Sequence, residues 1–231
     1  MKLSAELILS APTYINPVQE RELQLRGHQI PVIENLGVAK DVNESIDLSD
    51  NGIRSLSNIP KFVRLKTLLL ARNRIAHIQP DIAEAIPNLQ VLILTANSVA
   101  QLADLNPLSG FRRLTHLSLV DNPVAAKEHY RLYVIWRNPS IRVLDFAKVK
   151  DKERQAAREL FGESIDEPTE LASQILGVKS RVFDAVTPGP KSGVTRKLSD
   201  EEKDRLRQQL KSATTLDEID RIERALQSGY L

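Results

Sequence analysis

A repeated pattern of leucines followed by a polar residue constrains this chain more than any other feature. Written Leu-x-Leu-x-x-Asn-x-Ile, the pattern begins at residues 23, 46, 68, 92 and 117, and a degenerate sixth copy begins at residue 144. One such copy is too short to bury its own apolar side chains, so successive copies must stack to form a continuous core. The sequence therefore predicts a solenoid over its first two thirds.

The spacing of the copies indicates which solenoid this is. Neighbouring copies start 22 to 27 residues apart, and a period of about 20 to 29 residues with paired leucines is typical of leucine-rich repeats. The two leucines of a copy lie on one side of a strand, and stacked strands form a parallel sheet. Pro60, Pro87 and Pro107 lie between the strands and disfavour long helices there. We predict an α/β leucine-rich-repeat solenoid with a parallel concave sheet.

The polar position of the repeat predicts a ladder of buried side chains. After each strand the backbone turns, and an asparagine side chain offers both donors and an acceptor to the groups left inside the coil. The first copy has a histidine at this position, as expected for an atypical end repeat. The predicted ladder comprises His28, Asn51, Asn73, Asn97 and Asn122.

Helical caps and two further regions complete the predicted organisation. Apolar positions at helical spacing predict short cap helices at residues 3–10, 129–137 and 150–161. We assign residues 1–162 to the repeat domain with its caps. Prolines and glycines then predict a flexible linker at 163–198, in which residues 171–178 could form one or two helical turns. Two capping-box sequences predict a helical hairpin at 199–231.

Composition argues against catalysis and for a binding protein. The chain has no cysteine and four histidines, none with a metal-ligand spacing, and no glycine-rich phosphate loop. We therefore expect no catalytic residue, no metal and no cofactor. The net charge of +2 predicts no whole-molecule attraction to nucleic acid. The sequence contains no run of about 18 apolar residues, so it predicts no membrane span.

The residues that flank the repeat leucines are the candidate binding surface, because alternation along a strand turns them away from the core. Leu69, Val91, Ile93 and Val120 should form an exposed apolar patch that suits an amphipathic helix of a partner, although burial under the chain's own tail is an alternative. His116 is expected to contact the partner. We call this set the concave face: Gln24, Arg26, Asp47, Ser49, Thr67, Leu69, Ala71, Val91, Ile93, Thr95, His116, Ser118 and Val120.

Several stretches outside the repeat pattern carry a family resemblance. They are residues 14–16 (YIN), 21–27 (RELQLRG), 30–37 (IPVIENLG), 50–51 (DN), 129–135 (HYRLYVI) and 142–146 (RVLDF). These stretches resemble the A-prime subunits of the spliceosomal U-two small nuclear ribonucleoprotein. The resemblance covers residues 1–162 and continues more loosely at 179–183 and 216–229.

This resemblance implies a non-catalytic nuclear scaffold in pre-mRNA splicing. It implies that a helix of an RNA-recognition-motif protein, B-double-prime, binds the concave face, and that the pair grips stem-loop four of the U-two RNA. Arg26, Arg72 and Arg74 are then candidates to contact RNA phosphates, and the C-terminal tail is a candidate to bind other spliceosomal proteins. A regulatory subunit of a protein phosphatase would share the solenoid and stays an alternative. A histone-binding repeat protein is disfavoured because the tail is not strongly acidic.

Overall fold

Each sequence repeat contributes one short strand to a common sheet. The computed structural model describes residues 2–178. In this range the strands are β1 (Thr13–Ile15), β2 (Arg21–Gln24), β3 (Ser45–Asp47), β4 (Ser55–Leu56), β5 (Thr67–Leu69), β6 (His77–Ile78), β7 (Val91–Ile93), β8 (His116–Ser118), β9 (Val143–Leu144) and β10 (Ala147–Lys148). The helices are α1 (Ala5–Ser10), α2 (Ile82–Ala85), α3 (Tyr130–Arg137), α4 (Asp151–Phe161) and α5 (Glu170–Gly177).

The main sheet has the order β1-β2-β3-β5-β7-β8-β9-β10. Its six central strands are parallel and in register at the first leucine position of the repeat, so that Leu68 pairs with Ile46 on one side and Leu92 on the other. The predicted parallel sheet is thus confirmed. The repeat pattern did not predict β1 and β10, which extend the sheet at its two ends by antiparallel pairing.

The paired leucines form the core of the solenoid. Leu68, Leu70, Leu92 and Leu94 have no exposed surface. Both positions of each copy point inward because the backbone turns immediately after the strand and keeps the second leucine inside the coil. Burial of one such side chain stabilises the fold by roughly 1.5–3 kcal/mol relative to leaving it exposed.

The sixth copy departs from this arrangement. Phe146 stands at the second leucine position, yet it is 76% exposed. Asp145 and Phe146 both have positive φ angles, of 52° and 61°, and they form the two-residue turn between β9 and β10. Such turns require left-handed backbone at both positions. The chain therefore reverses here, and Phe146 never enters the coil.

Short helical segments connect the strands on the other side of the solenoid, as the prolines predicted. They are the 3-10 segments Leu36–Val42, Leu102–Gly110 and Pro123–Ala126, together with the four-residue helix α2. Strands β4 and β6 pair there in a separate parallel sheet that the sequence did not predict.

Helices close both ends of the solenoid. At the amino-terminal end, α1 buries Ile8, and Leu3 just before it is fully buried. At the carboxy-terminal end, α3 and α4 pack together through Tyr133, Trp136 and Phe161, whose ring centroids lie 5.4 to 5.8 Å apart. Aromatic pairs at such distances add to the energy of burial.

The structure corrects the boundary that the sequence placed after residue 162. Helix α5 lies within the predicted linker, yet it contacts α4 and the 3-10 segment Leu102–Gly110, and Ala172 is fully buried. Residues 163–178 therefore belong to the repeat domain. The rest of the predicted linker and the predicted hairpin at 199–231 lie outside the described residues. None of the helices in the described range is long and apolar enough to cross a membrane.

Candidate protein-binding face of the sheet

Strand register arranges the concave face in rows that run across the sheet. One row joins Gln24, Asp47, Leu69, Ile93 and Ser118 on neighbouring strands. A second row, at the start of the strands, joins Thr67, Val91 and His116 to two residues outside the predicted set, Glu22 and Ser45. A third row, just after the strands, holds Arg26, Ser49, Ala71, Thr95 and Val120.

A buried polar network occupies the first strands of this face. The Tyr14 hydroxyl donates to Glu22 Oε1 at 2.6 Å, while Asn16 Nδ2 and Ser45 Oγ donate to Glu22 Oε2 at 3.0 and 2.9 Å. Glu22 is only 5% exposed. Its position in an alternating strand, two residues before Gln24, was the signal in the sequence that could have found it.

The network holds Glu22 as a carboxylate. Burial raises the pKa of Glu22, but the hydrogen bonds from Tyr14, Asn16 and Ser45 outweigh it and leave that pKa below its usual value. The same contact with Glu22 raises the pKa of Tyr14 to about 12. With Asp47, which is 7% exposed and accepts a hydrogen bond from the Ser49 amide at 2.8 Å, this end of the concave face is negatively charged.

The middle of the concave face is apolar, as expected, but its side chains are less exposed to solvent than the sequence predicted. Leu69, Val91, Ile93 and Val120 are half-buried rather than exposed. Adjacent strands lie only about 4.8 Å apart, so side chains on neighbouring strands cover one another's flanks. Part of each of these four side chains remains accessible, and together they form an apolar patch.

The far side of the face is polar again. His116 is exposed, and its Nδ1 lies 2.9 Å from Thr115 Oγ1. Ser118 is buried and shares a hydrogen bond of 2.8 Å with Thr95. The apolar patch therefore has an acidic border on one side and a polar border on the other.

The arginines considered for RNA contact are not equivalent. Arg26 forms an ion pair of 2.6 Å with Asp50, and Arg72 approaches the other oxygen of Asp50 at 3.5 Å. Arg74 is exposed, and in the described residues it has no carboxylate within ion-pair distance. Asp50 therefore offsets the charge of two of the three candidates.

The asparagines of the repeat lie at equivalent positions and link each coil to the one before it. Asn73 Nδ2 donates to Leu48 O of the preceding coil at 2.9 Å, and Asn73 Oδ1 accepts from the Ile53 amide at 3.0 Å. Asn51, Asn97 and Asn122 make the corresponding bonds.

His28 does not fit this scheme. It is half-buried, and no hydrogen bond from its ring to another residue is found within residues 2–178. The physical reason is that the first coil has no preceding coil whose backbone would need pairing. The ladder therefore begins at Asn51.

The site suits recognition of a macromolecule. The concave face offers an apolar patch with charged and polar borders. In the part of the chain that the structure describes, no group of histidines and carboxylates is arranged to hold a metal ion.

Comparison with known proteins agrees with this picture. A leucine-rich-repeat family profile matches residues 1–175, so fold and sequence define the class as leucine-rich-repeat proteins. The chain is 56% identical to the U2 small nuclear ribonucleoprotein A′ of Aspergillus fumigatus over 221 residues, which cover 94% of this chain and 87% of the relative. It is 45% identical to that of Homo sapiens, over 100% of this chain and 89% of the relative.

A solved structure is similar over the same region. The crystal structure of the Drosophila melanogaster SNF/U2A′ complex contains a chain of 50% sequence identity that matches with a TM-score of 0.70, over 76% of this chain and 98% of that one. The protein described here belongs to the U2 small nuclear ribonucleoprotein A′ family of leucine-rich-repeat proteins.

Proposed function

We propose that this chain is a non-catalytic scaffold of the U2 small nuclear ribonucleoprotein in the nucleus. It binds an RNA-recognition-motif partner, B-double-prime, on its concave face and supports that partner's grip on stem-loop four of the U2 RNA. The observation that carries the proposal is the apolar middle of the concave face in a member of the A′ family. In support, the similar Drosophila chain was crystallised in a complex with SNF.

The geometry of the face favours a helix as its ligand. Leu69 and Ile93 are direct neighbours in one row, and Val91 lies beside them in the next row. Apolar side chains in adjacent rows accept the residues that a helix presents at spacings of three and four. The strands leave no unpaired backbone between them on this face, so contact is made by side chains.

We expect the acidic border to orient such a helix. Asp47 is nearly buried, and in the described residues no cation forms an ion pair with it. A lysine or arginine at one end of the partner's helix would be placed against Asp47, next to the Glu22 carboxylate. Complementary charges of this kind select the register and orientation of a partner.

The experiment that tests the proposal changes the apolar middle of the face. Leu69→Asp and Ile93→Asp should each raise the Kd for B-double-prime about a hundredfold or more, which corresponds to ~2.8 kcal/mol. In the complex the new carboxylate loses its water without gaining a cation. Binding is measured by titration, and folding of each variant by circular dichroism melting.

Two controls make the result decisive. Val32→Asp changes an exposed valine outside the concave face and should leave both binding and melting unchanged. Leu70→Asp changes a core leucine and should unfold the domain. The proposal is wrong if Leu69→Asp and Ile93→Asp melt normally and bind B-double-prime with unchanged affinity.

A further inference from the structure

A second surface lies at the edge of the sheet where the parallel strands begin. There a cleft of about 520 Å³ crosses several coils. Its lining includes Arg21 at the start of β2, Arg64 just before β5, and Arg113 just before β8. None of the concave-face residues lines the cleft, so its lining is distinct from the proposed partner site.

The three arginines hold unneutralised positive charge. All three are exposed, and among residues 2–178 no carboxylate lies within ion-pair distance of their guanidinium groups. The guanidinium of Arg64 has a longer-range attraction to Glu44, and the backbone amide of Arg64 donates a hydrogen bond to Asp41 Oδ1 at 3.0 Å. Arginines two or more coils apart in sequence are thus gathered on one surface by the stacking of the repeats.

The one carboxylate in the lining is already engaged. Glu44 Oε1 accepts a hydrogen bond from Lys66 Nζ at 2.6 Å, and Lys66 holds the pKa of Glu44 below its usual value. The charges of Glu44 and Lys66 therefore offset each other. The arginines therefore give the cleft its net positive charge, in contrast to the opposite edge of the sheet, where Asp50 offsets Arg26 and Arg72.

The rest of the lining decides which anionic ligand fits. Val42 and Val63 are 39% and 47% exposed in the cleft, and Asn88 and Gln90 line the space beside them. No aromatic side chain lines it, whereas proteins that bind single-stranded nucleic acid rely on aromatic rings for base stacking. Guanidinium groups alternating with aliphatic side chains match a peptide that carries carboxylates and aliphatic residues.

We propose that this cleft binds an acidic peptide segment of a partner protein, with its carboxylates on Arg21, Arg64 and Arg113 and its aliphatic side chains on Val42 and Val63. The charge of the cleft and its two valine side chains together recognise the segment. None of the lining residues belongs to the concave face, so we expect the segment to bind without displacing the partner on that face.

The test uses the full-length protein and a short fluorescein-labelled peptide of alternating glutamate and valine, followed by fluorescence anisotropy. Saturable binding is expected, and it should weaken as salt is added. Arg64→Glu and Arg113→Glu should each raise the Kd about tenfold or more, because each removes a charge-assisted contact. Arg54→Glu is the matched control, since Arg54 is exposed but lies outside the cleft.

Two further probes separate this proposal from its rivals. A glutamine-valine peptide should not bind, and a polyuridine oligonucleotide should bind more weakly than the acidic peptide. Any one of three results overturns the proposal. The first is that the acidic peptide shows no saturable binding, and the second is that Arg54→Glu raises the Kd for the peptide as much as Arg64→Glu does. The third is that the oligonucleotide binds more tightly than the peptide and that Arg64→Glu abolishes this binding. Circular dichroism melting of each variant confirms that the domain is folded.

Discussion

Asn97 illustrates how a single side chain holds two coils together. Its amide group donates to Leu70 O and Leu94 O and accepts from the Ile75 amide at 2.9 Å. Those two carbonyl oxygens also accept from Asn73 and Asn122. The Ile75 amide has Asn97 as its partner in the described residues, and it lies beside a fully buried side chain. The stability of the ladder therefore depends most on the asparagine Oδ1 atoms, which accept from these buried amides.

Replacing this residue gives a prediction at the same scale. Asn97→Ala should lower the free energy of unfolding by about 1–3 kcal/mol, because the Ile75 amide loses its hydrogen bond inside the coil. Urea denaturation followed by circular dichroism measures the change. Ser98→Ala, at the neighbouring exposed position, should have no comparable effect. An unchanged midpoint for Asn97→Ala would mean that water replaces the asparagine.

Helix α5 shows what an element contributes beyond its sequence pattern. Gly162 ends α4 with a φ of 115°, and a Cβ atom at this position would clash with Glu167 O. A glycine is therefore needed for the chain to fold back. Trp136 Nε1 donates to Gly162 O at 3.0 Å, and Thr169 Oγ1, at the start of α5, donates to Leu160 O at 2.9 Å. The sequence indicated that the regular pattern ends at this glycine, whereas in the structure the chain makes a tight turn there and packs back on the domain.

Truncation tests this role of α5. A chain ending at residue 178 should melt like the repeat domain of the full protein. In a chain ending at residue 162 the free energy of unfolding should be lower by roughly 1–3 kcal/mol, because the apolar surface that α5 covers is then exposed. Calorimetry or circular dichroism melting measures the difference. Both chains should still bind B-double-prime, since the concave face is intact in each. Equal stability of the two chains would show that α5 adds nothing to the domain.

At the scale of the whole molecule, the distribution of charge and of aromatic rings limits how tightly the isolated chain can bind RNA. The net charge of +2 is small, and Asp50 offsets two of the arginines on the edge of the concave face. Two aromatic rings, Tyr14 and Phe146, are exposed, and they lie at opposite ends of the sheet. The chain lacks, in the described range, the row of exposed rings on which RNA bases commonly stack.

This distribution predicts weak RNA binding by the isolated protein. The full chain alone should bind a labelled U2 stem-loop four at least about tenfold more weakly than the same chain together with B-double-prime, because the partner supplies the contacts to bases. Fluorescence anisotropy at physiological salt measures both, and a scrambled loop is the control. Tight binding of the isolated chain that is lost with the scrambled loop would contradict the prediction.

The repeat itself determined the fold of this protein. Paired leucines every 22 to 27 residues require stacked coils, and they fix which side chains, such as Leu70, enter the core and which, such as Leu69, leave it. The helical segments between strands and the caps also follow from local apolar spacing and proline. These features are predictable because each depends on residues close in sequence.

Contacts between coils were decided by the tertiary structure. The Glu22 network, the pairing of Asp50 with two arginines, and the gathering of Arg21, Arg64 and Arg113 in one cleft each join residues that are distant along the chain. The exposure of Leu69 and Ile93, the reversal at Phe146 and the docking of α5 likewise depend on neighbours from other coils. A local pattern specifies which way a side chain points, but the distance between strands and the turn that follows determine what that side chain meets.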